Sequence, residues 1–152
     1  MAFLTIGDKQ YEAKAAFKFE MVADKKYGGD NELTGLESIY QKLMSYKPSG
    51  LLAFWDCATA HYSKKEQPSV ELIADTIEQI MEQEYGADER LFQEAFRTLD
   101  ESGFFKLQLK EYWKNIDMIE KMVDENDEKE IKQAKAAKEM FTERRKELLK
   151  LE

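Results

Sequence analysis

The feature that most constrains this fold is a change in hydrophobic spacing near residue 15. Before it, the strand formers Phe3 to Ile6 precede Gly7-Asp8, which can turn the chain, and Tyr11 begins an alternating return segment. Residues 3–13 therefore predict a β-hairpin. After it, apolar residues recur every three or four positions, the spacing of one helical face. The sequence predicts a mainly α fold, with a short N-terminal β-hairpin followed by an irregular array of about six amphipathic helices, the last long and charged.

Capping and breaking signals set the predicted helix boundaries. A first helix begins near Ala15, carries Phe17 and Met21 at helical spacing, and stops before Gly28-Gly29. Thr34 to Glu37 match a capping box, in which the two side chains satisfy amide groups left unpaired at a helix start. Pro48 ends that second helix and begins a third, which is almost fully apolar and runs through Tyr62. This third helix is the predicted centre of the fold.

Three further helices are predicted up to residue 123. Pro68-Ser69 begins one that Gly86 closes in a left-handed conformation, and Asp88 caps the next, which ends near Gly103. Residues 104–123 form the third of them, with apolar residues again at helical spacing.

The remaining segment differs in composition. Residues 124–130 are acidic, residues 144–150 are mostly basic, and no Gly or Pro interrupts the segment, so it predicts one long charged helix whose charge order suits the helix dipole. We therefore divide the chain into a hairpin and helical core domain, 1–123, and a charged C-terminal helix, 124–152. Phe141 and Leu148 are candidate self-association residues; the alternative is a solvated helix that packs Phe141 on the domain.

Charge and composition exclude several classes of function. A formal net charge of −8, without a Lys/Arg cluster, argues against nucleic acid as a partner. No apolar run approaches the length that crosses a bilayer, and the N-terminus does not resemble a signal peptide. One cysteine fits a reducing compartment, so the expected location is the cytoplasm, with no membrane partner.

Catalytic and metal-binding patterns are sparse. Cys57 and His61 are four residues apart on a predicted helix, but the chain has no second Cys or His to complete a metal site. A serine triad would need His61 as its base, and no nucleophile elbow accompanies it. We predict no catalytic residues, no metal and no cofactor, and therefore no enzyme.

Aromatic residues are the remaining signal. Phe54 beside Trp55, and Phe104 beside Phe105, place neighbouring rings about 100° apart around a helix, and both faces are hard to bury in a small domain. Surplus rings of this kind would suit an apolar groove for a partner helix. The predicted partner-binding residues are Phe54, Trp55, Phe92, Phe96, Phe104 and Phe105.

The sequence resembles the tail assembly chaperones of long-tailed phages that infect Gram-positive bacteria. The resemblance lies in FLTIGDKQYEAKAAFKF (3–19), in residues 35–69 and in the helices through SGFF (102–105). It implies a small, mainly helical protein of the host cytoplasm that binds the tape measure protein, holds it soluble and promotes polymerisation of the tail tube around it. It further implies absence from the mature virion, a homo-oligomeric state and contact with the tail tube protein.

Two other functions remain open at this point. A structural head-tail or tail component would share every feature above. An acidic helical regulatory or adaptor protein would share the helices, although a helix-turn-helix regulator should carry a basic recognition helix, and the most basic stretch here lies at the C-terminal end.

Overall fold

The fold is mainly helical, as the sequence predicts. A computed structural model describes residues 2–29, 32–122 and 127–149, apart from the side chains of residues 119, 120 and 122. Those residues form a two-stranded sheet and seven helices. The elements are β1 (Phe3–Ile6), β2 (Lys9–Glu12), α1 (Phe17–Tyr27), α2 (Gly35–Met44), α3 (Pro48–Ala58), α4 (Val70–Gln83), α5 (Ala87–Asp100), α6 (Lys106–Met122) and α7 (Glu128–Leu149).

The hairpin forms as predicted, with Leu4 paired to Tyr11 in an antiparallel register. Gly7 has φ +64°, a left-handed conformation that a residue without Cβ adopts at little cost. Leu4 and Tyr11 face inward and are buried. The backbone amide of Glu12 donates a hydrogen bond to the hydroxyl of Tyr62 at 2.9 Å, so the hairpin is fixed against the segment that follows α3.

Most of the predicted boundary signals act where expected. Thr34 and Glu37 form the capping box at the start of α2, and Pro48 is the first residue of α3. Gly86 is left-handed at φ +80° as predicted, but it does not close α4, which ends at Gln83 with Glu84 as its C-cap. Gly35 also lets two helices approach closely, because a Cβ atom there would lie 2.1 Å from the carbonyl carbon of Ala23 in α1.

Two further predicted boundaries are wrong. The third helix ends at Ala58 rather than Tyr62, because the chain then turns through short-range bonds such as the one from the amide of Tyr62 to the carbonyl of Thr59. Asp88 is not the cap of α5, which starts one residue earlier with Gly86 at its N-cap. Its carboxylate instead accepts the amide of Glu89 inside the first turn.

Helix α3 is the centre of the core, as its apolar sequence predicts. It packs against α1, α2, α4 and α5, and its side chains from Ala53 to Ala58 are all buried. Aromatic contacts join the layers: the ring of Phe19 in α1 lies 5.9 Å from that of Phe54 and 5.7 Å from that of Phe105.

The charged helix α7 folds back onto α2, α5 and α6. Leu148 is fully buried in the core, and Phe141 packs at its edge. Arg145 donates to both carboxylate oxygens of Asp100 at 3.2 Å, and Arg144 donates to the carbonyl of Met44 at 2.6 Å. The alternative in which Phe141 packs on the domain is confirmed. The division at residue 123 lies outside the described residues and stays a prediction.

Candidate functional site

Most of the rings predicted to bind a partner lie inside the protomer. Their side chains are at most 4% exposed and belong to one hydrophobic core, which corrects the prediction that they form surplus surface. The residues concerned are Phe54, Trp55, Phe92, Phe96 and Phe105. Leu148, a predicted self-association residue, is likewise sealed within the protomer.

The reason for this error is the number of neighbours around α3. Four helices surround it, so adjacent side chains that point about 100° apart can both be buried. The ring of Phe54 packs towards Phe19 in α1. The carbonyl of Trp55 accepts the hydroxyl of Thr59, which lies just after α3. The second pair divides instead, with Phe105 in the core and Phe104 at the surface.

Phe104 belongs to an exposed cluster that we call the apolar patch: Phe17, Met21, Phe104 and Leu107. Phe17 and Phe104 meet edge to face, with ring centroids 4.7 Å apart. Met21 lies one helical turn after Phe17 on α1, and Leu107 lies in the first turn of α6, three residues after Phe104; we assign both to the patch on this placement. All four side chains are between 42% and 72% exposed, a concentration of large apolar groups that typically marks a binding surface.

Local hydrogen bonds hold the two halves of the patch together. The hydroxyl of Ser102 donates to the carbonyl of Ala15, just before α1, at 3.5 Å, and it accepts the amide of Phe105, just before α6, at 3.4 Å. Beneath the patch, Phe19 and Phe105 pack within the core. The start of α1 is therefore fixed beside the start of α6.

Lysines lie beside both halves of the apolar patch. Lys14 and Lys18 line a 260 Å³ cavity together with Phe17, and Lys106 and Lys110 are exposed on α6 beside Leu107. The first turn of α6 carries no acidic residue, so the positive end of its helix dipole is not neutralised there. The border of the patch is mixed, because the exposed Glu111 lies one helical turn after Leu107.

A second concave surface lies at the other end of α5. This cavity of about 390 Å³ is lined by Tyr46, Pro48, Met81, Asp88, Glu89 and Phe92. Tyr46 has φ +54°, an uncommon conformation for a residue with a side chain, and its ring packs edge to face on that of Phe92. We call this the α5 cavity. Phe92 is thus a buried ring that forms part of a cavity wall.

Cys57 and His61 do not form the helical pair that their spacing suggests. Because α3 ends at Ala58, His61 does not lie on the same helical face as Cys57. Burial, with a further contribution from Asp56, raises the pKa of the Cys57 thiol, and burial lowers the pKa of His61. Over the described part of the chain, no three His, Cys, Asp or Glu side chains are grouped as metal ligands.

The sequence reasoning missed three of the four patch residues. Phe17 and Met21 supplied the helical spacing that predicted the first helix, yet they project outward, and it is Phe19 and Ala23 that are buried. Leu107 carried a usable signal, because the polar residues Lys106 and Gln108 flank it in the sequence. Among the helices of the described residues, none is long and apolar enough to cross a bilayer.

Comparison with known proteins gives one match. Residues 3–114 match the model of a family described as phage tail assembly chaperone protein, TAC. The match includes the apolar patch and the α5 cavity, and it ends within α6, before α7. Searches of curated proteins and of solved structures returned no match.

Proposed function

The chain belongs to the phage tail assembly chaperone family, and we propose that it binds the tape measure protein, keeps it soluble and promotes polymerisation of the tail tube around it. The phage would be of the long-tailed type that infects Gram-positive bacteria. The observation that carries this proposal is the apolar patch, an exposed surface that the core does not use.

The patch suits a helical client because of its shape and chemistry. Two rings and two flexible side chains present apolar surface across the junction of α1 and α6. A helix with apolar residues at positions i, i+3, i+4 and i+7 can lay its stripe on such a surface. A long helical protein with exposed stripes would otherwise self-associate, and covering a stripe removes that tendency. Met21 can adapt its shape to different segments of a client.

Co-expression with the tape measure protein of the neighbouring reading frame tests the function. We expect the tape measure protein to move from the insoluble to the soluble fraction and to copurify with this chain. If it stays insoluble when the chaperone is abundant and folded, the assignment of the client is wrong.

The binding surface is tested with the double variant M21Q/L107Q. These two patch side chains are 68% and 72% exposed, so their replacement should leave the fold intact. We expect this variant to lose most of the solubilising activity. The matched control is M118Q/M140Q, which changes two exposed side chains outside the patch and should solubilise the client as the parent chain does. Equal activity of the two variants would show that the client binds elsewhere.

The proposal also covers where the protein acts and at which stage of tail assembly. We propose that the protein acts in the cytoplasm of the infected or lysogenic host, contacts the tail tube protein during polymerisation and is absent from the mature virion. Immunoblots of purified tails distinguish it from a structural tail component, because an assembly chaperone should be missing from finished particles. A stoichiometric signal in tails would favour the structural role.

A further inference from the structure

Helix α7 is attached to the core by few apolar side chains. Of its 22 residues, Ala134 and Leu148 are buried, and Phe141, between them in the sequence, is partly buried. These three residues are spaced seven apart and therefore lie near one helical face. The rest of the helix is mostly polar or charged, so α7 depends on polar contacts to stay on α2, α5 and α6.

One of these polar contacts places Arg145 in a site that the core builds without α7. Arg145 donates to both carboxylate oxygens of Asp100 at 3.2 Å, and its guanidinium lies 5.2 Å from the ring centroid of Trp113. The hydroxyl of Tyr40 also donates to Asp100 and accepts the indole N–H of Trp113, so α5, α2 and α6 are joined here. The carboxylate is only 7% exposed, and leaving it without a cation is costly.

The preceding residue, Arg144, is held by the end of α2. It donates to the carbonyl of Met44, the last residue of α2, at 2.6 Å, and its guanidinium lies 4.0 Å from the ring centroid of Tyr46. A helix C-terminus carries partial negative charge, so this carbonyl and the neighbouring ring suit a cation. Glu147, on α7 itself, also pairs with Arg144 at 3.4 Å. The core therefore accepts two consecutive arginines of one helix.

We call the residues that receive the two arginines the α7-binding surface: Tyr40, Met44, Tyr46, Asp100 and Trp113. All five lie within residues 3–114, which match the family, whereas α7 lies outside the match. The family domain thus supplies the buried carboxylate, and a helix outside that domain supplies its cation. Any helix that presents an arginine pair beside an apolar stripe has the groups needed to take the same place.

We infer that the α7-binding surface is a docking site for an arginine-bearing amphipathic helix of the client, and that α7 occupies it until the client displaces it. By the pattern of α7, the client segment carries apolar residues seven apart and an arginine pair three and four residues before the last of them. The displacement is an exchange of one guanidinium for another, so the carboxylate of Asp100 is paired before and after it. This inference rests on the proposed function for the identity of the client and adds a second contact to the apolar patch.

Hydrogen exchange measured by mass spectrometry tests the displacement in the intact chain. We expect a soluble tape measure segment to accelerate amide exchange in α7 by about tenfold or more, because a helix that leaves the core loses protection. Exchange in α3 should stay as slow as before. Binding of the segment with unchanged or slower exchange in α7 would overturn the inference, because α7 would then remain docked.

Two substitutions break the same ion pair from opposite sides. R145M loosens α7 and leaves the carboxylate of Asp100 free for the client, so the tape measure segment should bind about tenfold more tightly than to the parent chain. D100N also loosens α7 but removes that carboxylate, so the segment should bind at least about tenfold more weakly than to R145M. The matched control K146M removes the next cation of α7, whose side chain is 65% exposed, and should bind like the parent. Equal affinities of R145M and D100N would refute the role of Asp100 in docking.

A labelled peptide of residues 127–149 tests the docking site without the tape measure protein. We expect fluorescence anisotropy to show that the peptide binds the R145M chain and that it competes with the tape measure segment. The peptide with R144M/R145M should do neither, and equal binding of the two peptides would overturn the inference.

The same measurements separate this inference from the proposed function. If the segment binds the chain but the peptide does not compete with it, the proposed function stands and the displacement is refuted. If the peptide binds and no tape measure segment does, the proposed function fails, and with it the identity of the client.

Discussion

The ion pair between Arg145 and Asp100 should decide how firmly α7 is held. The carboxylate of Asp100 is only 7% exposed, whereas the side chain of Arg145 is 42% exposed. Asp100 also accepts the hydroxyl of Tyr40 at 2.5 Å, and the indole of Trp113 donates to that hydroxyl at 2.8 Å. Burial of Tyr40, followed by its hydrogen bond to Asp100, raises the pKa of its hydroxyl, so Tyr40 remains a donor.

The strength of the Arg145–Asp100 ion pair follows from this geometry. Two unit charges at this separation attract by roughly 5 kcal/mol at an effective dielectric constant near 20 and by roughly 1 kcal/mol in bulk water. Because Arg145 is partly exposed, solvent screening and desolvation reduce the net coupling to about 1 to 2 kcal/mol. The substitution R145M keeps the packing of the stem but leaves the carboxylate of Asp100 without its cation. We expect it to lower the free energy of unfolding by about 2 kcal/mol.

The substitution D100N should have opposite effects in two backgrounds. In the parent chain it removes one half of the ion pair and should destabilise by about 1 kcal/mol. In the R145M background it removes a buried unpaired charge and keeps an acceptor for Tyr40, so it should restore about 1 kcal/mol. Urea unfolding of the four chains, followed by far-UV circular dichroism, gives the coupling energy directly. If D100N destabilises both backgrounds equally, the ion pair does not hold α7 and the reasoning fails.

Three further predictions concern stability. Burial, and then the nearby charge of Glu37, raises the pKa of Tyr112 to about 12, and its hydroxyl has no hydrogen-bond partner among the described residues; Y112F should therefore stabilise by about 1 kcal/mol at neutral pH. The raised pKa means that the folded state favours the neutral phenol, so the folded protein loses stability as the pH rises from 10 to about 12. Urea titrations should show a smaller alkaline loss of stability in Y112F. G35A should destabilise by about 3 kcal/mol because its Cβ would overlap Ala23, while G103A, with open space around it, should change little in the same thermal melts. Truncation before Asp124 should leave a folded chain that is less stable by about 3 kcal/mol or more, because Leu148 and the cation of Arg145 are lost. A truncated chain without helical signal in circular dichroism would show that α7 is required for folding.

Helix starts were predictable because their signals are local. The capping box of α2 and the proline that begins α3 each act within four residues of sequence. Asp88 was misassigned for the same reason. Two candidate caps lay close together, and the turn at Gly86 rather than the side chain of Asp88 begins the helix.

Burial was less predictable because it depends on how many elements surround a helix. The apolar composition of α3 correctly indicated a central position, but it did not show that four helices would cover it. Phe54 and Trp55 were therefore assigned to the surface. Conversely, Phe17 and Met21 have ordinary core spacing on α1, yet Phe19 and Ala23 make the inward face. Only the packing of neighbouring helices decides which of two adjacent apolar faces is covered.

The C-terminal helix shows why a change in composition need not be a boundary in packing. Its charged sequence suggested a separate segment, and the family match ends before it. Yet Asp100, inside the matched region, has its cation on α7, and Leu148 fills the core. A long charged helix needs only a few inward residues to dock, since arginine stems also pack against apolar surface. Arg144 and Arg145 do so over the rings of Tyr46 and Trp113. Tyr46 also lines the α5 cavity. Helix α7 therefore supports one wall of that cavity, although α7 itself lies outside the residues that match the family.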